Sequence, residues 1–130
     1  MSVFVDTSAL YALLDEADAH HADASDVLRR LAGTELVSHA FVAVETCALV
    51  GKRLPWAATE QLIDGILPII DVRSLDPDLF AAAMGGYRAS ASASVSLVDH
   101  ASFALMRSLG IRRAFAYDGD FAREGFQLVV

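Results

Sequence analysis

The sequence predicts an α/β domain: a mainly parallel central sheet of about five strands with helices on both faces. Three observations lead there. Short runs of strand type alternate with longer runs of helical period along the whole chain. A length of 130 residues suits one domain, spanning residues 1–130. Hydrophobic residues make up 55% of the chain and charged residues 21%, enough apolar side chains to cover a sheet buried on both faces. Surface scaling gives roughly 20,000 Å² for the unfolded chain and about 6,700 Å² for the folded one, so about two-thirds of the surface is buried.

The elements follow in order. Val3-Phe4-Val5 is a short buried-strand run ending at Asp6, and Ser8 to Leu14 reads as helix. His20 to Leu31 places Ala24, Val27, Leu28 and Leu31 on one helical face, with Gly33 suited to the position just past the helix end. Glu35-Leu36-Val37 is the second strand. Ser38 to Leu54 is a long helix with Phe41, Val44, Ala48 and Leu49 on one side, and Pro55 opens another helix running to Leu67. Pro68 to Val72 is the third strand, and Asp76-Pro77 opens a helix to about Ala89. Ser90 to Ser94, alternating serine and alanine, reads as a mobile loop. Ser96 to Leu109 is a helix stopped by Gly110. Ala114 to Tyr117 is the fourth strand, ending at Asp118; Phe126 to Val130 is the fifth, with a short helical turn near Phe121 between them.

Composition removes several classes. Disorder requires low hydrophobicity. A disulfide scaffold requires more than the single Cys47, which reads as a buried core residue. The apolar stretch from Phe41 to Val50 is interrupted by Glu45, and that from Ile63 to Val72 by Asp64, Pro68 and Asp71; both fall short of the roughly 20 residues of a membrane span. The first six residues lack a basic region and reach a carboxylate, unlike a signal peptide, so a cytoplasmic protein is expected. The net charge of −7 argues against binding nucleic acid through bulk charge.

Carboxylates recur at strand ends. Asp6 follows strand one and Asp118 follows strand four, with Asp120 two residues on; in parallel sheets, ligands bind at the carboxyl ends of strands. Glu45 lies about two turns into the helix after strand two, and Asp99 in the first turn of the helix before strand four. Each has a structural explanation: Asp6 as a helix cap, Ser96-x-x-Asp99 as an acidic relative of the capping box, Asp118-Gly119-Asp120 as turn chemistry. Four such residues on one edge suggest more. Two carboxylates 4 Å apart repel by about 4 kcal/mol at an effective dielectric of 20. A cluster therefore needs a counter-charge or raised pKa values. A hard divalent cation such as Mg²⁺, which prefers oxygen ligands, meets that need. The adjacent His20-His21 diverge on a helix and read as solvated residues at a helix start.

These residues carry a resemblance. Residues 3–10 (Val-Phe-Val-Asp-Thr-Ser-Ala-Leu), Glu45, residues 96–106 around Asp99, and Tyr117-Asp118-Gly119-Asp120-Phe121 together resemble a PIN domain, and within that family a VapC-type toxin ribonuclease. The resemblance covers nearly the whole chain. It implies a catalytic quartet of Asp6, Glu45, Asp99 and Asp118. Asp6, Asp99 and Asp118 would bind a divalent metal, Mg²⁺ or in its place Mn²⁺, and Glu45 would bind metal or orient a water. Thr7 and Ser8 match a polar pair in which a hydroxyl supports the first carboxylate; Asp120 matches a supporting position of variable identity. His100 and the serine-alanine loop depart from the family pattern. The resemblance further implies an RNA substrate, a cognate antitoxin and a homodimer.

The expected chemistry is metal-assisted hydrolysis of RNA phosphodiester bonds by a toxin of a toxin–antitoxin pair. Phosphate contact would come from local patches, for which Arg29-Arg30, Lys52-Arg53 and Arg112-Arg113 are the candidates. Trp56, Phe41, Tyr11 and Leu14 are candidates for apolar surface left to a partner. Among alternatives, a receiver domain wants an acidic pair after strand one and a late lysine, and the chain's only lysine is Lys52. A haloacid-dehalogenase-type phosphatase wants Asp-x-Asp where this chain has Asp6-Thr7-Ser8. A PIN nuclease of RNA processing or acting on DNA without an antitoxin, and a non-catalytic PIN domain that binds RNA or protein, keep the fold and differ in use.

Overall fold

The computed structural model describes residues 1–130. Five strands, β1 (Ser2–Val5), β2 (Glu35–His39), β3 (Asp71–Arg73), β4 (Arg113–Phe115) and β5 (Gln127–Leu128), form one all-parallel sheet in the order β3-β2-β1-β4-β5. Seven helices join them: α1 (Thr7–Leu14), α2 (His21–Arg30), α3 (Ala40–Arg53), α4 (Trp56–Gln61), α5 (Pro77–Ser90), α6 (Leu97–Leu109) and α7 (Asp120–Arg123). The chain exposes 6887 Å², close to the area expected from its mass, so its apolar excess is largely absorbed by the core.

From β1 the chain winds outward through β2 to β3, then returns to β4 on the other side of β1. Right-handed crossovers therefore place α1–α4 on one face and α5–α7 on the other. On the second face Phe4, Phe103, Phe121 and Phe126 pack ring to ring, with Phe103 and Phe121 centroids 5.1 Å apart. Because the winding direction reverses between β1 and β4, a crevice opens outside their carboxyl ends, where ligands of such sheets bind.

Several boundaries differ from the sequence expectation. β2 runs to His39 and α3 begins at Ala40, not Ser38, because His39 is the N-cap: its Nδ1 accepts from the Val42 N–H at 3.3 Å. Ser38 remains in the sheet, its Oγ donating to the Val5 carbonyl at 2.8 Å. After α4 the helix widens into a π-turn over Leu62–Ile66 and tightens into a 3-10 turn over Leu67–Ile69. Pro68 has no N–H to continue the regular ladder, so the turn consumes the first residues expected in β3. β4 stops at Phe115, and Ala116-Tyr117 lie beyond it. There the Tyr117 N–H donates to the Ser8 hydroxyl at 2.9 Å instead of to a neighbouring strand. Gly110, at φ 69°, closes α6 in the left-handed region that glycine tolerates.

Candidate metal centre

Each acidic residue at the carboxyl edge has a local structural job that also fixes where its carboxylate stands. Asp6 caps α1: its Oδ2 accepts from the Ser8 N–H at 3.1 Å and from the Ser8 hydroxyl at 2.6 Å. Ser8 Oγ, in turn, accepts from Tyr117 N. One hydroxyl thus ties the carboxylate after β1 to the segment after β4. Asp99 sits in the first turn of α6, where its N–H donates to the Oγ of the N-cap Ser96 at 3.0 Å. Asp118 makes an Asx turn, Oδ1 accepting from the Asp120 N–H at 2.9 Å, which opens α7.

Carboxylate oxygens of Asp99, Asp118 and Asp120 all lie within 4.8 Å of one another. Asp6, 4% exposed, is near enough that its charge and that of Asp118 both raise the Asp99 carboxyl. Burial is the first cause for each: it pushes Asp6 up to about 6, against the pull of the Ser8 hydrogen bonds, and Asp99 up to about 7. The cation paired with the cluster is Arg123, bonded to Asp120 Oδ1 from an exposed position on α7. Residue types in the cluster are oxygen donors only, the chemistry of a hard divalent cation. The donor set fits such an ion.

Glu45 stands apart from this trio. It is half-buried on α3, beside an apolar groove of about 280 Å³ that it lines with Phe41, Val44, Phe80, Leu97 and Val98. Leu97 and Val98 directly precede Asp99, so Glu45 borders the acidic edge from the α3 side. Thr7 and Ser8 divide the polar pair between them, the Thr7 backbone and the Ser8 hydroxyl both supporting Asp6. The Thr7 hydroxyl lies 3.4 Å from that of Thr46, which donates to the Val42 carbonyl, so the Thr7 side chain joins α1 to α3 while that of Ser8 supports the carboxylate.

Other expectations are corrected or completed here. Leu14 is a core residue at 7% exposure and Tyr11 packs half-buried against the core; Trp56 and Phe41 are exposed. His21 is not simply solvated: its Nδ1 lies 2.8 Å from the Ala12 carbonyl oxygen. The Arg112-Arg113 pair sits at the amino end of β4, on the opposite edge from the carboxylates. Sequence reasoning passed over two residues. Arg123 is signalled only by lying one helical turn after Asp120. His39 is fully buried, with Nε2 2.9 Å from Ser102 Oγ, and burial pushes its pKa down to about 4.

Comparison with known proteins agrees with this arrangement. The PIN domain profile matches residues 3–126. The 23S rRNA-specific endonuclease VapC20 of Mycobacterium tuberculosis is 33% identical over 125 residues, 95% of each chain. A crystal structure of that protein, described as a sarcin–ricin loop cleaving toxin, superposes with a TM-score of 0.83 over 95% of both chains. FitAcB from Neisseria gonorrhoeae shares the fold at 15% identity, with a TM-score of 0.73 over 100% of this chain and 97% of its own. Parallel sheet, carboxylates at the switch point and a profile match over almost its whole length agree: the chain belongs to the PIN domain family.

Proposed function

We propose that the protein is a Mg²⁺-dependent endoribonuclease and the toxin of a toxin–antitoxin pair. The observation that carries this reading is the convergence of Asp6, Asp99, Asp118 and Asp120 on the crevice between β1 and β4. The 33% identity to a 23S rRNA-specific endonuclease supports a ribosomal RNA stem-loop as substrate. Asp99 and Asp118 would hold the ion with Asp6, and Asp120 would join them when Arg123 turns away. Mn²⁺ offers similar ligand preferences and would substitute. When bound, such an ion supplies an activated water and charge neutralisation at phosphorus. The protein's own groups do the rest. Ser8 keeps Asp6 oriented and favours its ionised form, Asp118 and Asp99 keep their spacing through turn and cap, and Glu45 would orient a water from the α3 side. Arg123, freed from Asp120, would meet a substrate phosphate.

No helix is long and apolar enough to cross a membrane, consistent with a cytoplasmic site of action. The groove between α3 and α5, with Phe41, Val44, Phe80 and Met84 exposed, supports a homodimer, and exposed Trp56, Ile63 and Ile69 offer apolar area to an antitoxin. The test is cleavage of a defined RNA containing the sarcin–ricin loop, with Mg²⁺, Mn²⁺ or EDTA, beside an Asp99→Asn variant purified identically. Metal-dependent cutting that falls at least a hundredfold in the variant is expected, the scale of losing transition-state charge stabilisation. Equal cutting by both proteins would reject the assignment.

A further inference from the structure

At the amino edge of the sheet, opposite the acidic crevice, a cavity of about 360 Å³ is lined by Ser2, Leu109, Ile111, Arg112, Arg113 and Gln127. Arg113 is half-buried on β4, and its Nε is buried with no hydrogen-bond partner. The four ion pairs of the chain use Arg29, Arg73, Arg107 and Arg123, so both arginines of the cavity lack a carboxylate partner. The Arg113 Nε is closed to solvent, so a ligand in the cavity would meet the terminal N–H groups of its planar guanidinium, which match a phosphate bidentately. The nearby carboxylate, Glu35, is engaged by the Ser2 hydroxyl on the adjoining strand.

We propose that this cavity is a second phosphate-binding site, in which Arg112 and Arg113 hold a backbone phosphate of the RNA whose scissile bond lies at the acidic edge. The proposal rests on the ribonuclease reading and adds to it a contact remote from the chemistry. Topology supports a link between the two ends. β4 and β5 are parallel, so the segment from Asp118 through α7 to Gln127 crosses from the carboxyl edge to the amino edge. Arg123 stands on that crossover and Gln127 lines the cavity at its far end. A folded RNA lying along this flank meets Arg123 first and the arginine pair last. The cavity is of a size for one phosphate and its sugar and too small for a helix of a protein partner, which favours RNA over an acidic peptide.

The experiment measures binding of a 2′-O-methyl RNA hairpin, which resists cleavage, to the full chain in EDTA across a salt series. Proteins compared are the wild type, Arg112→Gln/Arg113→Gln, Arg113→Lys and, as a remote control, Arg88→Gln. The double variant is expected to bind on the order of tenfold more weakly, with the log–log salt slope reduced by about 1 to 2 and the loss similar for hairpins of different sequence. Arg113→Lys, which keeps the charge and the fold but loses the fork, should fall between, and Arg88→Gln should match the wild type. In parallel, the Arg113 Nε–H resonance should shift with the hairpin. Unchanged affinity and slope in the double variant overturn the proposal, as does a resonance that moves with a polyglutamate peptide but not with RNA, which would assign the cavity to a protein partner. If the wild type cuts RNA with metal while the arginine variants bind and cut alike, the nuclease reading stands and the second site falls. If the wild type never cuts yet the variants lose RNA binding, the reverse holds.

Discussion

Asp99 keeps its proton to about pH 7 in the metal-free protein, because burial and the charges of Asp6 and Asp118 disfavour its ionised form. A carboxyl raised above its ordinary 3.8 favours the folded state below that value and loses this contribution as pH rises through about 7. His39 acts in the opposite sense: buried neutral with a pKa near 4, it disfavours the folded state as pH falls below the ordinary 6.5. Metal-free protein should therefore lose the Asp99 contribution progressively between about pH 4 and pH 7, opposed by His39 below about 6.5 and unopposed above it. A shift of about 3 units sets a ceiling near 4 kcal/mol, and solvent screening of the half-buried group leaves on the order of 1–2 kcal/mol. Calorimetric melting in EDTA should show this loss in the wild type and not in Asp99→Asn, and Mg²⁺ should remove it from the wild type; parallel pH curves for the two proteins would contradict the assignment. Asp6 and Asp118 were legible from sequence because strand ends in a parallel sheet converge on one edge. The place of Asp120 within the tightest trio was not: a two-residue spacing in a turn leaves open which carboxylate faces inward, and only the Asx turn at Asp118 settles it. Likewise, the division of labour between Thr7 and Ser8 depends on where α3 lies, which their own neighbours in the chain do not encode.

Between elements, the join of β2, α3 and α6 rests on a buried polar relay. Ser102 Oγ donates to the Val98 carbonyl at 3.0 Å, one turn back on α6, and accepts from His39 Nε2–H, while His39 Nδ1 accepts from Val42 N. This fixes the histidine tautomer and pins the helix that carries Asp99 to the cap of the helix that carries Glu45. Ser102→Ala removes this acceptor from a fully buried N–H and leaves it only the Val98 carbonyl, so it should destabilise the protein by about 1–3 kcal/mol. Urea unfolding checks this; a loss within about 0.5 kcal/mol, the range of ordinary surface changes, would show that the relay carries no weight. All five strands and the helices between them were visible as alternating periodicities, and Ser96 and Asp76 cap the helices expected of them. Boundaries failed where a contact distant in sequence competes with local pattern. His39 and Ser102 are 63 residues apart, so nothing in Val37-Ser38-His39-Ala40 announces that the strand continues to a buried histidine. At β3, by contrast, the local signal was present, since Pro68 interrupts the helical ladder and delays the strand to Asp71.

For the molecule as a whole, one continuous apolar patch lies across α3 and α5. Val44 is 66% exposed and Met84 43%, and the Phe41 and Phe80 rings stand 6.0 Å apart across the groove. Contiguous apolar surface of this kind marks an interface in a protein whose core is otherwise closed. A homodimer on this face would bring two grooves together, and each groove is bordered by Glu45 and by the start of α6. Dimer formation and the acidic edge are then coupled through α3 and the start of α6. A stable interface buries about 800 Å² per partner, within reach of two adjoining helix faces. Val44→Arg tests this without touching the core, because an exposed side chain can turn its charge to water in the monomer but not in a packed interface. Sedimentation equilibrium at micromolar concentration should find the wild type as a dimer and Val44→Arg as a monomer with an unchanged far-ultraviolet spectrum. RNA cleavage per chain should fall in the variant if the partner subunit helps to hold the α6 terminus, and the fall should be reversed by raising protein concentration. A wild type that stays monomeric throughout the concentration range would instead leave this face to the antitoxin, and the same variant would then lose antitoxin binding while keeping its cleavage rate.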